Sequence, residues 1–238
     1  MIHCLRGRVL KPEILDTLAY GEARASLADL VRINRHWGGH RTLRHLLAQV
    51  VNPAETFSLL DVGAASGDMG ARVREWYPMA GVTSLDRLES HLTACPSHLA
   101  SRRVAGEAFA LPFRPASFDL VICSLFLHHF TDSQIVTLLA GFGEVARKWV
   151  LVIDLERNPI AYYFVPWTKW IFKWHPVTVN DAAISVEAAF RAKELEALAS
   201  AAGLAEPRAR AYYPAFRIGM VAGALGPRMA RPRPYGQG

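Results

Sequence analysis

What the chain has little of narrows it first. Only three cysteines, Cys4, Cys95 and Cys123, stand among 238 residues, an odd number with no metal-ligand spacing. Neither a disulfide framework nor a metal site follows from them, and a reducing, cytoplasmic setting is expected. No uninterrupted apolar run reaches membrane-spanning length, and charges break up the opening MIHCLRGRVLKP before a signal-peptide core can form. A soluble protein is expected, with no stable membrane insertion. Acidic residues are missing from residues 207–238, which hold six arginines.

That last absence explains the net charge of +6. A basic chain raises nucleic acid or an anionic membrane as partner, depending on where the charge sits. Residues 207–238 carry +6, residues 1–50 carry +4 (eight basic, four acidic) and residues 51–206 carry −4 (thirteen basic, seventeen acidic). The middle of the chain is acidic, which argues against a nucleic-acid groove. With 51% hydrophobic and 20% charged residues the chain is globular, and its length fits one α/β domain with elaborations.

Residues 13–50 carry helical periodicity through Leu15, Leu18, Leu27, Leu30, Val31, Leu43, Leu46, Leu47 and Val50, broken at Trp37-Gly38-Gly39. Beyond Pro53, short β-rich runs alternate with helical stretches, the pattern of a parallel sheet with crossover helices. Strands are expected at 57–62, 81–86, 102–106, 118–124 and 149–154. A helix follows from about Val186 to Ala202, capped by Gly203, and two antiparallel strands lie within 207–222. This reads as an N-terminal helical cap over 1–52, a main domain over 53–225 with an insertion at about 157–182, and a flexible basic tail over 226–238.

The stretch LLDVGAASGD, residues 59–68, places an acid and two glycines on the turn between a strand and a helix. Gly63 and Gly67 let backbone approach a ligand, and the helix N-terminus favours an anionic group. The spacing is not the G-x-G-x-x-G of dinucleotide folds, so NAD is the weaker reading. Asp86 ends the second strand, where a ribose would offer its diol. Gly106-Glu107-Ala108 follows the third strand, and Ser117-Phe118-Asp119 opens the fourth.

This arrangement resembles class I S-adenosylmethionine-dependent methyltransferases, particularly the small-molecule branch with ubiquinone and menaquinone methyltransferases, across about residues 55–155. The resemblance implies a Rossmann-like seven-stranded sheet, mostly parallel with the last strand antiparallel, and S-adenosyl-L-methionine as cofactor. It implies that Gly63, Ala64, Ala65 and Gly67 lie under the methionine portion, with Asp61 near its amino group. Asp86 would hold the ribose, Glu107 and Ala108 would border the adenine, Arg87 would cover its other face, and Ser124 would complete the cofactor site. The family usually has Gly where Ala65 stands, which sets the loop slightly farther from the cofactor. INRHWGG, DLERNP and VEAAFRAKEL also look similar to methyltransferases associated with bacterial type III polyketide synthase clusters, which implies a phenolic acceptor and oxygen as the methylated atom.

His128 and His129 follow the fourth strand, at the sheet edge where open α/β folds bind substrates. Each is a candidate general base, His129 slightly ahead; the structural alternative is that one ring packs against the cofactor or caps the next helix. Asn158–Pro176 holds Tyr162, Tyr163, Phe164, Trp167, Trp170, Phe172 and Trp174. It reads as a helical lid which, with the Trp37 region, walls an acceptor pocket for a flat apolar molecule; packing under the domain and shallow docking on a membrane are the alternatives. Asp154, Glu156 and Arg157 lie at the fifth strand's end, facing the acceptor or solvated. Nucleic-acid methylation lacks its Asn/Asp-Pro-Pro-aromatic run, since Ser124-Leu-Phe-Leu-His128 stands there. C-methylation of a quinone or lipid precursor and a non-catalytic cofactor-binding subunit remain as rivals.

Overall fold

A computed structural model of the chain describes residues 7–15, 20–92, 102–214 and 216–225. Its centre is a seven-stranded sheet with strand order β3-β2-β1-β4-β5-β7-β6. The strands are β1 (Ser58–Val62), β2 (Gly81–Asp86), β3 (Arg102–Ala105), β4 (Phe118–Ser124), β5 (Ala146–Leu155), β6 (Ala205–Tyr212) and β7 (Arg217–Gly223). The first five are paired parallel, while β7 runs antiparallel to both β5 and β6. Parallel strands buried on both faces require nearly continuous apolar sequence, and Leu59, Leu60 and Val62 or Val150 to Ile153 supply it.

Two helical layers cover the sheet. On one face α2 (Gly39–Val50) and α3 (Asp68–Trp76) bury Leu43, Leu46, Leu47, Met69 and Val73 against Leu59, Leu120, Ile122 and Leu151. On the other, α5 (Asp132–Val145) packs Ile135, Leu138, Leu139 and Phe142 beside Leu195 and Ala199 of α8 (Ala192–Ala201). Each such fully buried side chain contributes about 1.5–3 kcal/mol. A reciprocal cap starts α5: the Thr131 side chain accepts from the Gln134 N–H, while the Gln134 side chain accepts from the Thr131 N–H. The short α4 spans Glu89–Leu92, and α1 spans Tyr20–His36.

Three expectations change. Residues 13–15 do not begin a long α-helix: they end a strap whose Ile14 and Leu15 N–H groups donate to Asp181, at 3.0 and 2.9 Å. Leu18 lies outside the described residues, as do Cys4, Cys95 and the tail 226–238. The insertion is longer than 157–182 and comprises two helices, α6 (Pro159–Phe172) and α7 (Pro176–Ala188). The expected helix from Val186 to Ala202 is therefore split. Phe190 leaves helical conformation because its N–H and C=O bond Leu155 O (3.2 Å) and Arg157 N (2.9 Å), prolonging β5. The two antiparallel strands expected within 207–222 are present, with Arg208 and Arg210 in β6 and Arg217 buried at the start of β7.

Candidate active site

The glycine loop folds by local necessity. Gly63 and Gly67 have φ of +67° and +72°, and Ala65 between them also has a positive φ, +45°. A Cβ on Gly63 would stand 2.5 Å from the Phe126 ring, so the first glycine is required by sterics as well as by its dihedral. Asp86 ties the loop down: Oδ2 accepts from Ala65 N at 2.8 Å and Oδ1 from Leu88 N at 2.9 Å. The position where the sequence departs from its resembled family is thus one where the backbone favours glycine, and Ala65 carries about 1–2 kcal/mol of left-handed strain.

A cavity of about 650 Å³ opens from this loop. Its near end is lined by Gly63, Ala65, Asp86, Arg87, Glu107 and Ala108. Its far end is walled by Leu27, Leu30 and Ile33 of α1, Ala161, Phe164 and Val165 of α6, and Ala182 and Val186 of α7. Trp37 also lines it, with edge-to-face contacts to Phe164, Phe172 and Trp174 at centroid separations of 5.8, 4.8 and 5.4 Å. The insertion and the Trp37 break do meet at one pocket. The outer face of α6 is different, with Ile160, Trp167, Trp170 and Ile171 exposed.

The other residues expected at the cofactor fall elsewhere. Asp61 is buried beneath the loop rather than lining the cavity, and its Oδ2 has no hydrogen-bond partner. Burial raises its pKa to about 7, an effect that the Gly70 N–H only partly offsets. Ser124 Oγ is likewise buried and unpartnered, and Ala64 and Gly67 shape the turn from behind. Two orphaned oxygens under a glycine cradle, with Asp86 and Glu107 at its rim, make an acid-rich donor set that suits a cationic nucleoside such as S-adenosylmethionine.

Between the two ends stand His128 and His129 on the 3₁₀ turn Leu127–His129, with ring centroids 4.2 Å apart. His128 is 3% exposed. Its Nδ1 meets Asp154 Oδ1 at 2.6 Å, and its Nε2 lies 3.6 Å from Glu13 Oε1. Glu13 comes from the N-terminal strap and accepts from Ser185 Oγ at 2.6 Å. Burial works against charge on His128, yet the Asp154 carboxylate, with help from Glu13, overcomes it and lifts the pKa to about 10. The same pairing holds Asp154 below its usual range although burial pushes it up. His128 is therefore an imidazolium between two carboxylates near neutral pH, which removes its expected role as general base.

Glu13, His128 and His129 also bring ligating atoms within 4.8 Å of one another, the spacing of a cation site. Both nitrogens of His128 already face carboxylates, so the cluster is satisfied as an ion-pair chain. Sequence reading had no access to Glu13, since its neighbours Pro12 and Ile14 carry no motif. Nor did it single out Arg217, which lines the cavity beside Leu155 and Phe216. Glu156 Oε1 accepts from Tyr213 Oη at 2.6 Å, and Arg157 pairs with Glu194; neither lines the cavity.

Strand order, glycine loop and strand-terminal carboxylate together define the class I S-adenosylmethionine-dependent methyltransferase fold. Residues 59–148 match the family described as methyltransferase domain. It is 28% identical over 157 residues to a ubiquinone/menaquinone biosynthesis C-methyltransferase of Paracoccus denitrificans, covering 62% of this chain and 60% of that protein. It is 31% identical over 159 residues to a demethylmenaquinone methyltransferase of Roseiflexus castenholzii, covering 63% and 62%. The matches thus span about three fifths of these relatives. In three dimensions it overlays an O-methyltransferase family 2 protein from Planctomyces limnophilus in complex with apigenin, with TM-score 0.59 and 19% identity, over 88% of this chain and 63% of that one. Among the described residues no helix is long and apolar enough to cross a membrane.

Proposed function

We propose that the chain transfers a methyl group from S-adenosylmethionine to an oxygen of a flat, largely apolar phenolic small molecule. The observation that carries this reading is the single cavity that joins the acid-rimmed glycine loop to a wall of α1, α6, α7 and Trp37. Bound at the loop, the cofactor supplies an electrophilic methyl on a sulfonium. Asp86 would receive its ribose diol, Glu107 and Ala108 would border its base with Arg87 opposite, and Gly63 to Gly67 would pass beneath its amino-acid end.

The chain's own work is alignment and exclusion of water. Holding two reactants in line is worth roughly 7–11 kcal/mol, and the α6 and α7 walls provide that enclosure. A phenol must also lose its proton. His129 is the candidate acceptor of that proton, while His128, with both nitrogens facing carboxylates, holds the turn that carries His129. A second reading, carbon methylation of a quinone precursor, is favoured by the similarity to quinone methyltransferases.

The deciding experiment incubates the protein with labelled cofactor and a panel of phenols, phenolic polyketides, quinone precursors and tRNA, then fragments the products by mass spectrometry. Oxygen-methylated phenols support the proposal. Carbon-methylated quinone precursors select the second reading, and calorimetric preference for NAD over S-adenosylhomocysteine overturns both.

A further inference from the structure

A buried arginine with nothing to bind is rare, because an unpaired charge removed from water is among the most destabilising features a fold can carry. This protein solves that problem for two other arginines. Arg8 donates from Nε to Ala188 O at 2.8 Å and from Nη2 to Phe130 O at 2.9 Å, and pairs through Nη1 with Asp132. Arg157 donates from Nη1 to Ala189 O at 2.8 Å and from Nη2 to Glu194. Arg217 has no such arrangement. It is 3% exposed, and its Nε and Nη2 are sealed from water without a hydrogen-bond partner.

Asp154 and Asp181 are spent elsewhere, and although Glu156, whose N–H donates to Phe216 O, keeps Oε2 buried without a partner, neither sealed Arg217 nitrogen bonds to it. Asp154 accepts from His128 and Leu155 N on one oxygen and from Leu127 N on the other. Asp181 is filled by Ile14 N, Leu15 N and Asn180. Burial brings the Arg217 pKa down to about 10, with Asp154 partly opposing, which still leaves a full positive charge at neutral pH. That charge lies at the acceptor end of the cavity. Arg217 pairs across the sheet with Leu155, and both line the wall with Phe216, Ala161 and Val186, away from the glycine loop.

We propose that Arg217 binds a carboxylate carried by the methyl acceptor, so that the pocket takes an aromatic acid rather than a neutral ring. Nε and Nη2 form one edge of the guanidinium, and two parallel donors on one edge match the two oxygens of a carboxylate. A lone phenol or ketone oxygen would leave one donor unmet. Because the side chain lines the cavity, a small rotation about its terminal torsions presents that edge to a ligand there. The proposal rests on the acceptor reading of the cavity given above.

The test is binding, not turnover. With S-adenosylhomocysteine present, calorimetry compares 3-hydroxy-2-naphthoate with 2-naphthol, which lacks only the carboxylate. Wild type is expected to favour the acid by about tenfold or more, the worth of a charge-assisted pair. Arg217→Met should abolish the preference while keeping the melting temperature at or above wild type, since an unmatched buried charge is removed. Arg217→Lys should retain part of it as a point charge. Equal affinities in wild type, or a preference surviving in Arg217→Met, would overturn the proposal. So would a variant that loses S-adenosylhomocysteine instead, which would assign the anion to the cofactor. Failure of wild type to bind S-adenosylhomocysteine at all is a different result and strikes the methyltransferase reading itself.

Discussion

His128 offers the sharpest quantitative consequence of the structure. In the unfolded chain its imidazole titrates near 6.5, whereas in the fold Asp154 and Glu13 raise it to about 10. The folded chain therefore keeps a proton that the unfolded chain releases. The stabilisation from this pair is fully present below pH 6.5 and declines by about 1.4 kcal/mol per pH unit until it is gone above pH 10. Between pH 7.5 and 9.5 the loss amounts to roughly 2–3 kcal/mol by the same slope. In that window the buried Cys123 thiol, pushed well above its ordinary value, adds a smaller loss of the same sign, because only the unfolded thiol ionises there. Asp61, near 7, is about three quarters ionised at pH 7.5 and Arg217, near 10, has lost about a quarter of its protons at 9.5, remainders that each shift stability by only about 0.2 kcal/mol and in opposite directions.

Urea denaturation at half-unit pH intervals measures the slope directly. Wild type should lose roughly 2–3 kcal/mol more across the window than His128→Gln, which lacks the imidazole and keeps only the Cys123 contribution. Asp154→Asn removes the partner at 2.6 Å and leaves a buried cation with only Glu13 at 3.6 Å, so it should cost about 3–5 kcal/mol at pH 7. A wild-type profile parallel to that of His128→Gln, or a ring resonance of His128 titrating near pH 6.5, would refute the reasoning. It would also restore His128 as a possible base, which makes the stability measurement a test of the chemistry.

Other consequences follow from the same geometry. Ala65→Gly relieves a positive φ of +45° at some entropic cost, so a net gain of about 0.5–1 kcal/mol in denaturation and tighter S-adenosylhomocysteine binding by calorimetry are expected. Asp61→Asn removes a buried acid with an unpartnered oxygen; wild type should weaken from pH 4 to 7 in urea melts, and the variant should lack that decline. Trp37→Ala abolishes three edge-to-face contacts, each worth about 0.5–1.5 kcal/mol, and should lower the melting temperature and acceptor affinity together. Trp167→Ser and Trp170→Ser, at positions 75% and 83% exposed, should each shift stability by no more than about 0.5 kcal/mol in the same melts.

The parts legible in the sequence are those whose signal is local. Leu59 to Gly67 announces a strand, a turn and a helix within one short window because each requirement, an apolar run, two glycines and an acid, falls on neighbouring residues. Asp86 and Glu107 are readable for the same reason, as carboxylates closing predicted strands. The aromatic content of 158–176 likewise points to a pocket wall, while the extent of the insertion has no such signal. Its end depends on Phe190 bonding to Leu155 and Arg157, a pairing with no local signature.

The chemistry of the acceptor end was illegible because it arises from distance in the chain. His128 looked like a base while its surroundings were unknown; Glu13 from the strap and Asp154 from β5 make it an acid-paired cation. Arg217 looked like one member of a basic terminus, counted with Arg228, Arg231 and Arg233. Only the antiparallel return of β7 against β5 carries it inward, beside Leu155, where its Nε and Nη2 meet no acceptor. The charge that first pointed outward to a polyanion thus has one component pointing inward. If an aromatic acid fills that place, Arg217 is the one of these two buried cations with donors to spare: the guanidinium fixes the ligand's carboxylate, while His128, neutralised by Asp154 and Glu13, holds the turn that carries His129.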